Sequence, residues 1–234
     1  MLVGAATVSA ITSCASFAAS PSDPAVTADA SAESHDGSSD AGGTDTKAKD
    51  ASVEADADAA RAPCRGEAAC RRYVFVTSDL YAGEDIGGSI GADGKCTNRA
   101  AAPGTLAVLA GRVWQAWISD DGANLAASAR LTNGTMPYRL ADGTLIANSW
   151  TQLTSGALLH AIDMDETGKT IGDDFVWTGT QAFGQVTLTN CTNWSINGPD
   201  NRGSVGRANA KDGTWTNSGA VSCGNGHRLY CFEQ

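Results

Sequence analysis

Positive charge is scarce in this 234-residue chain: 16 Lys and Arg stand against 26 Asp and Glu, a net charge of −10. That excludes nucleic acid and anionic lipid headgroups as main partners, because binding them gains from counterion release only where the protein offers a positive field. Histidine is scarcer still, with 3 in all. His160 and His227 are the two in the second half, and neither stands at a metal-binding or acid–base spacing. No CxxC or HxxxH pair occurs, so the usual signature of a zinc site is missing. After the first twenty or so residues no run is apolar and long enough to span a bilayer. No segment repeats.

The acidity that is present is local. Ala15–Ala60 holds ten Asp or Glu and two Lys, or −8 of the −10, leaving about −2 for the remainder. Residues 15–62 are otherwise Ser, Ala, Asp, Gly and Thr with one aromatic, Phe17. Such a composition buries too little apolar surface to offset chain entropy, so a disordered, self-repelling tether is expected there.

Residues 1–13, MLVGAATVSAITS, are small and apolar and precede Cys14. Ile11-Thr12-Ser13-Cys14 resembles the bacterial lipobox (aliphatic, small, small, Cys). In that motif the thiol is diacylated and the bond before it is cut, which makes Cys14 a lipidated first residue and gives a stable membrane anchor. The alternative is an ordinary signal peptide with an incidental cysteine, since no Lys or Arg precedes Cys14. Either reading places the chain outside the cytoplasm. The other six cysteines, Cys64, Cys70, Cys96, Cys191, Cys223 and Cys231, then read as a disulfide frame, with fifteen pairings open to six cysteines.

From Tyr73 the pattern becomes that of a folded domain, expected over residues 64–234. Tyr73–Thr77 is a β-branched and aromatic run and predicts a strand. A Gly-rich turn follows over Gly83–Gly88. Ala92–Ala102 predicts a helix that stops at Pro103-Gly104. Val113–Ser119 alternates as a strand. Pro137–Leu140 and Thr144–Ala147 flank Asp142-Gly143, a hairpin signal. Asn148 or Ser149 can cap a short helix through Leu153. Phe175–Thr178 and Arg228–Phe232 predict two further strands, and Thr178–Asn217 reads as a long Gly/Asn/Ser-rich loop region. The fold class expected is α+β, mostly antiparallel short strands with two short helices.

Several of these residues carry a resemblance. Trp117-Ile118-Ser119 stands where C-type-lectin-like domains have an aromatic-Ile core strand, and Cys96 lies on the first helix. Gly213-Thr214-Trp215-Thr216-Asn217-Ser218 leads to Cys223, and Cys231 follows in Leu229-Tyr230-Cys231-Phe232-Glu233. Cys191-Thr192-Asn193-Trp194 before a Gly/Asn loop resembles endostatin. The stretch from about Tyr73 to Gln234 therefore resembles the bacterial endostatin-like/C-type-lectin-like domain of unknown function, DUF1554, which also occurs in leptospiral endostatin-like outer-membrane proteins. The resemblance implies a C-type-lectin-like fold, disulfides Cys96–Cys231 and Cys191–Cys223, and Cys64 left to pair with Cys70.

Candidate sites follow from the same stretch. The loop Asn197-Gly198-Pro199-Asp200-Asn201 and the segment Trp215-Thr216-Asn217 occupy the places of the two calcium and sugar motifs of sugar-binding lectins, with Trp194 nearby. They depart from those motifs in order and in lacking an Asp after Trp215, and they supply few carboxylates for a hard cation. The bland reading is a Gly/Asn turn with Trp194 and Trp215 in the core. Asp163-Met164-Asp165-Glu166-Thr167-Gly168 with Asp174 mimics the spacing of an EF-hand loop, but no helix pair flanks it, which favours a polar hairpin. Gly87-Gly88-Ser89-Ile90-Gly91 satisfies G-x-S-x-G without the α/β alternation a nucleophile elbow requires. Endostatin's heparin-binding arginine cluster does not carry over, because Arg202, Arg207 and Arg228 are scattered among acids.

The chain is thus expected to be a lipid-anchored surface protein of the outer membrane or cell surface, and not an enzyme. Its module would bind an extracellular protein or glycan without metal. A structural envelope protein without soluble ligand and a calcium-dependent carbohydrate binder are the alternatives.

Overall fold

The computed structural model describes residues 70–122 and 125–234; the expected signal segment ending at Cys14, the acidic linker 15–62 and Cys64, with its expected bond to Cys70, lie outside them. In chain order the elements are β1 (Arg72–Val76), α1 (Gly83–Ile86), α2 (Gly88–Ala100), β2 (Trp114–Ala116), α3 (Ala127–Arg130), β3 (Tyr138–Arg139), β4 (Leu145–Ala147), α4 (Trp150–Leu153), β5 (Phe175–Trp177), β6 (Arg202–Arg207), β7 (Gly219–Ser222) and β8 (Arg228–Glu233). The strands join in the order β4-β3-β1-β8-β5-β6-β7, with β2 also on β8. Most pairs are antiparallel; β1 with β3 and β5 with β8 are parallel. The fold is α+β and strand-rich.

Every residue of β1 is buried. A strand with one wet face alternates apolar and polar; after Arg72 this one is apolar at every position, because it runs between two cores. Val74 and Val76 enter the first core with Trp117, Tyr138, Trp215, Tyr230 and Phe232. Tyr73 and Phe75 enter the second with Ile86, Cys96, Trp114, Trp194 and Cys231. β8 divides its residues the same way, Tyr230 and Phe232 to one side and Leu229 and Cys231 to the other. Residues Val74–Val76 pair with Tyr230–Phe232. On the opposite edge of β8, Cys231–Glu233 pair with β2, while Arg228 and Leu229 pair with β5.

On α2, the buried residues Ala92, Cys96 and Ala100 recur every fourth position and form one stripe toward the sheet. The helix begins at Gly88, ahead of the Ala92 expected. Its first turn is supported from elsewhere in the chain: Ser89 N–H donates to Asp120 Oδ2 at 2.9 Å, satisfying one of the orphan donors of a helix start. Arg130 on α3 donates to both oxygens of Asp93 at 2.6 and 2.7 Å, and Asp93 accepts the Ala116 N–H at 2.8 Å, so one bidentate pair ties α2, α3 and β2 together. The Asp142-Gly143 hairpin forms between β3 and β4, and Ser149 caps α4 by accepting from Gln152 N–H at 3.3 Å.

The stretch expected as loop from Thr178 to Asn217 contains β6, which pairs with both β5 and β7. Its sequence, Arg-Gly-Ser-Val-Gly-Arg, lacks the β-branched run that marks a strand locally. It is a strand because its two neighbours make it one, and because its glycines admit them. A Cβ at Gly203 would lie 2.6 Å from Cys191 Sγ and 2.8 Å from the Trp177 ring. The expected turn at Gly83–Gly88 likewise contains a helical turn, α1, and single-turn helices raise the number of helices above the two expected.

Two disulfides lock this arrangement. Cys96–Cys231 joins α2 to β8 across 135 residues, and Cys191–Cys223 spans 32. In the chain-entropy model these closures contribute about 5 and about 4 kcal/mol respectively. Replacing Cys96 and Cys231 together by Ala is expected to lower unfolding stability by about 5 kcal/mol, and the Cys191/Cys223 double substitution by about 4; urea titration of the oxidised variants measures both. An equal or inverted ranking would show that the longer closure is not the main staple.

Candidate binding cleft

Asn190 begins a turn whose next four residues all lie in the left-handed region: Cys191, Thr192, Asn193 and Trp194 have φ of 51, 52, 56 and 58°. Left-handed conformation costs an L-residue roughly 1–2 kcal/mol, and single residues, usually Gly or Asn, are the ordinary case. Four in a row without glycine require outside support. Cys191 is bonded to Cys223. Asn190 Oδ1 accepts the Asn193 N–H at 3.1 Å. Trp194 is fully buried, donates its indole N–H to Ser119 O at 3.0 Å and packs edge-on against Trp177. Gly179 permits that approach, since a Cβ there would lie 2.8 Å from the Trp194 ring.

This turn forms one wall of an open cleft of about 360 Å³. Thr192 and Asn190 line it from the turn, Leu188 and Thr189 precede the turn, Asp200, Asn201 and Arg202 come from the entry to β6, and Asp121 completes the described lining. The Asp121 N–H donates to Asn193 Oδ1 at 2.6 Å, which ties Asp121 to the turn. Asn190 and Thr189 spend their side chains internally, on Asn193 and Ser204. By contrast, the side chains of Asp121, Thr192, Asp200, Asn201 and Arg202 make no hydrogen bond or ion pair to the described residues. Five of the other arginines there, Arg99, Arg112, Arg130, Arg207 and Arg228, are salt-bridged. The cleft carries two carboxylates and one guanidinium.

The residues expected to bind ligand separate in the structure. Asp200 and Asn201 line the cleft. Asn197 lies beside it and accepts the Glu84 N–H at 2.7 Å, which ties the loop to α1. Trp194 and Trp215 are both 0% exposed, so neither ring is presented to solvent, and they belong to opposite cores. Asn217 sits at a turn after Trp215, its N–H bonded to Gly213 O, and does not line the cleft. Asp121, Thr192 and Arg202, absent from the sequence expectation, are supplied by the fold. The signals that could have found part of the site are Asn193, since Asn tolerates left-handed backbone best after Gly, and Asn190, a residue suited to capping the turn.

The EF-hand-like acids do not converge. Asp165 is buried and its Oδ1 accepts from Thr167 N–H, Thr167 Oγ1 and Lys169 N–H, a self-contained turn. Asp174 pairs with Arg228 at 2.8 Å, and Asp163 lies 3.7 Å from His160. Burial raises the Asp163 carboxyl above its ordinary range, with His160 acting against it. Among the described residues, no group of three His, Cys, Asp or Glu is placed to hold a metal ion. Ser89 of G-x-S-x-G is buried in the first turn of α2. His227 is half-buried, its ring standing edge-on to Trp177 and Phe175 at 4.6 and 5.6 Å. Burial lowers its pKa, and Asp174 opposes that shift.

No protein-family model matches this chain, and no curated protein matches it.

Two outcomes are expected. Thr192→Gly removes the strain of a β-branched residue at φ 52° but increases unfolded-chain entropy; the balance is a gain of about 0.5–1 kcal/mol, read by urea unfolding, where a glycine substitution would ordinarily weaken the fold. For His227, the folded state binds the proton less readily than the unfolded chain, whose imidazole titrates at 6.5. Its contribution is therefore complete above that value and is lost as pH falls through it toward the lower folded pKa. His227→Phe, which keeps the ring contacts, is expected to flatten the stability profile as pH falls below about 7; an unchanged slope in paired melts at each pH would assign the dependence to other groups.

Proposed function

We propose that the domain is an exported recognition module on a lipid-anchored surface protein, with a C-type-lectin-like, endostatin-like fold, and that it binds an extracellular protein or glycan at the cleft around Thr192, Asp200 and Arg202. The observation that carries this reading is a set of five polar side chains around one cleft that make no hydrogen bond or ion pair to the described residues, beside a backbone turn whose strain is sustained by a disulfide and a buried tryptophan. Strained backbone concentrates at functional sites, where the surroundings over-determine it. Recognition residues on loops over a rigid frame are the common arrangement.

The disulfides belong to an oxidising, extracytoplasmic environment, which agrees with export. One ties the first long helix to the last strand and the other closes the cleft loop, as the resemblance to the endostatin-like family implies. The anchor in this reading is the acylated Cys14. Binding is preferred to catalysis in this reading because the described lining offers carboxylates, amides, hydroxyls and one guanidinium, with no histidine or cysteine among those residues.

The test is thermal unfolding of the full oxidised chain against a panel of glycans and matrix proteins, with calcium and with chelator. A true partner raises the melting temperature, because only a ligand that prefers the native state stabilises it. Calcium and chelator are expected to make no difference. The combined variant Asp121→Ala, Asp200→Ala, Arg202→Ala is expected to lose the shift while its unliganded stability stays within about 0.5 kcal/mol per site. If the variant retains every interaction of the parent, recognition lies elsewhere on the molecule.

A further inference from the structure

We infer that the outer edge of β7 is a self-association surface, at which two copies of this chain pair their β7 strands antiparallel about a twofold axis. β7 ends the strand order, and no described strand meets its outer edge. It is also the one described strand without a buried residue. The other end of the sheet is covered: the chain after β4 returns along it, where Leu159 N–H donates to Ile146 O at 2.9 Å. With one open edge and one covered edge, the sheet can extend once, by a closed pair of copies. Two open edges would allow an open ribbon.

Backbone directions at β7 suit that pairing. Ala220 stands opposite Ser204 of β6, yet Ser204 turns both of its backbone groups away from it. The Ser204 N–H donates to Thr189 O at 2.8 Å, and its carbonyl accepts the N–H groups of Thr178 and Gly179, each at 3.1 Å. Just past Ser222, the Cys223 N–H donates to Asn201 O at 2.9 Å. Antiparallel ladders alternate between bonded and non-bonded pairs. Val221 therefore bonds to Gly203, while Ala220 and Ser222 direct their N–H and C=O groups outward. Ser222 O already accepts the Asn225 N–H at 3.2 Å, which leaves its second lone pair. With the twofold axis beside Val221, Ala220 of each copy exchanges backbone bonds with Ser222 of the other, and each of these outward groups is answered.

Side-chain chemistry points to a second copy as the occupant. Edge strands are commonly guarded by a charged side chain or a proline, and residues Gly213–Gly226 contain neither. A twofold axis brings a segment against itself, so any charge there would meet its like; an uncharged segment meets no such cost. Gly219, Ala220 and Ser222 are small enough to let two backbones approach to the ~4.8 Å of paired strands. Val221, half-buried against the second core, falls on the axis as a non-bonded pair, the closer kind, with its side chain beside that of the other copy. A foreign peptide would meet the same backbone groups, but peptide recognition at a sheet edge draws its specificity from pockets beside the strand. β7 contributes no residue to the described cleft lining.

Sedimentation equilibrium of the full oxidised chain, from about 10 µM to about 1 mM, tests the pairing. A small interface belongs to the weak, transient class, so a monomer–dimer equilibrium is expected within that range. Amide exchange on the same samples is expected to show Ala220 and Ser222 gaining protection as concentration rises, with Val221 protected throughout. Ala220→Pro removes an outward donor and none that β6 uses, a change that edge strands accept. It is expected to abolish the dimer and leave the monomer's melting curve in place. Val221→Lys sets two ammonium groups against each other at the axis. It is expected to weaken dimerisation about fivefold in low salt, and less where salt screens the charges. A chain that stays monomeric at the highest concentration overturns the inference. So does a dimer that both variants leave intact, or one that forms without protecting Ala220 and Ser222. Growth beyond two copies overturns the closed pair.

Discussion

β8 hydrogen-bonds to three strands and is bonded covalently to α2 through Cys231. Few strands have so little freedom. Its residues alternate between two cores, so a slip of one position would place Leu229 and Cys231 where Tyr230 and Phe232 now pack, and the reverse. The disulfide forbids that slip, since Cys231 can meet Cys96 only from the α2 side. β1 is buried on both faces for the same reason, and β2 and β5 take their places along β8's free edge. The sheet is thus organised around its last strand.

A second constraint is polar. Glu166 is fully buried, and its carboxylate accepts from Arg99 Nε at 2.8 Å and from Ser78 N–H at 2.9 Å. Arg99 also reaches Asp79 at 3.0 Å. A buried carboxylate persists only when paired and hydrogen-bonded, so this cluster fixes the end of α2 against the chain leaving β1 and the turn at Asp165–Gly168. Nearby, burial and the charge of Asp79 push the Tyr81 phenol up to about 12. The segment that resembles an EF-hand in spacing is therefore occupied structurally: Glu166 with Arg99, Asp165 with its own turn, Asp174 with Arg228.

How much of this was legible in sequence follows from where each interaction is made. β1, the Asp142-Gly143 hairpin, the Ser149 cap and β8 rest on residues adjacent in the chain, and their patterns are visible there. The start of α2 depends on Asp120, a cap from a distant loop, and was missed for that reason. β6 has one apolar strand former, Val205, and takes its conformation from neighbours that sequence does not place. At the cleft, Asp200 and Asn201 could be picked out as polar residues beside a proline, but Asp121 lies some eighty positions earlier and is brought to them by tertiary bonds such as Asp121–Asn193 and Trp194–Ser119. Trp194 and Trp215 show the converse. A tryptophan in a loop motif reads equally as a ligand platform or as core, and only burial separates the two.

The left-handed turn joins stability to the site. Four residues at roughly 1–2 kcal/mol each amount to a strain on the order of 4–8 kcal/mol. The Cys191–Cys223 closure contributes about 4 kcal/mol, and burying the Trp194 side chain contributes a few more, since truncating a core tryptophan typically costs about 3–5 kcal/mol. These opposing quantities are comparable, so neither support is redundant: without the bond the turn keeps Trp194 and the Asn190 cap, and without the tryptophan it keeps the bond and that cap. Thr192 sits between the two anchors, Cys191 and Trp194, and Asn190 directly precedes them; both line the cleft. The geometry of the cleft wall is consequently a product of disulfide formation and core packing together, and its polar groups are positioned by the same interactions that close the second core.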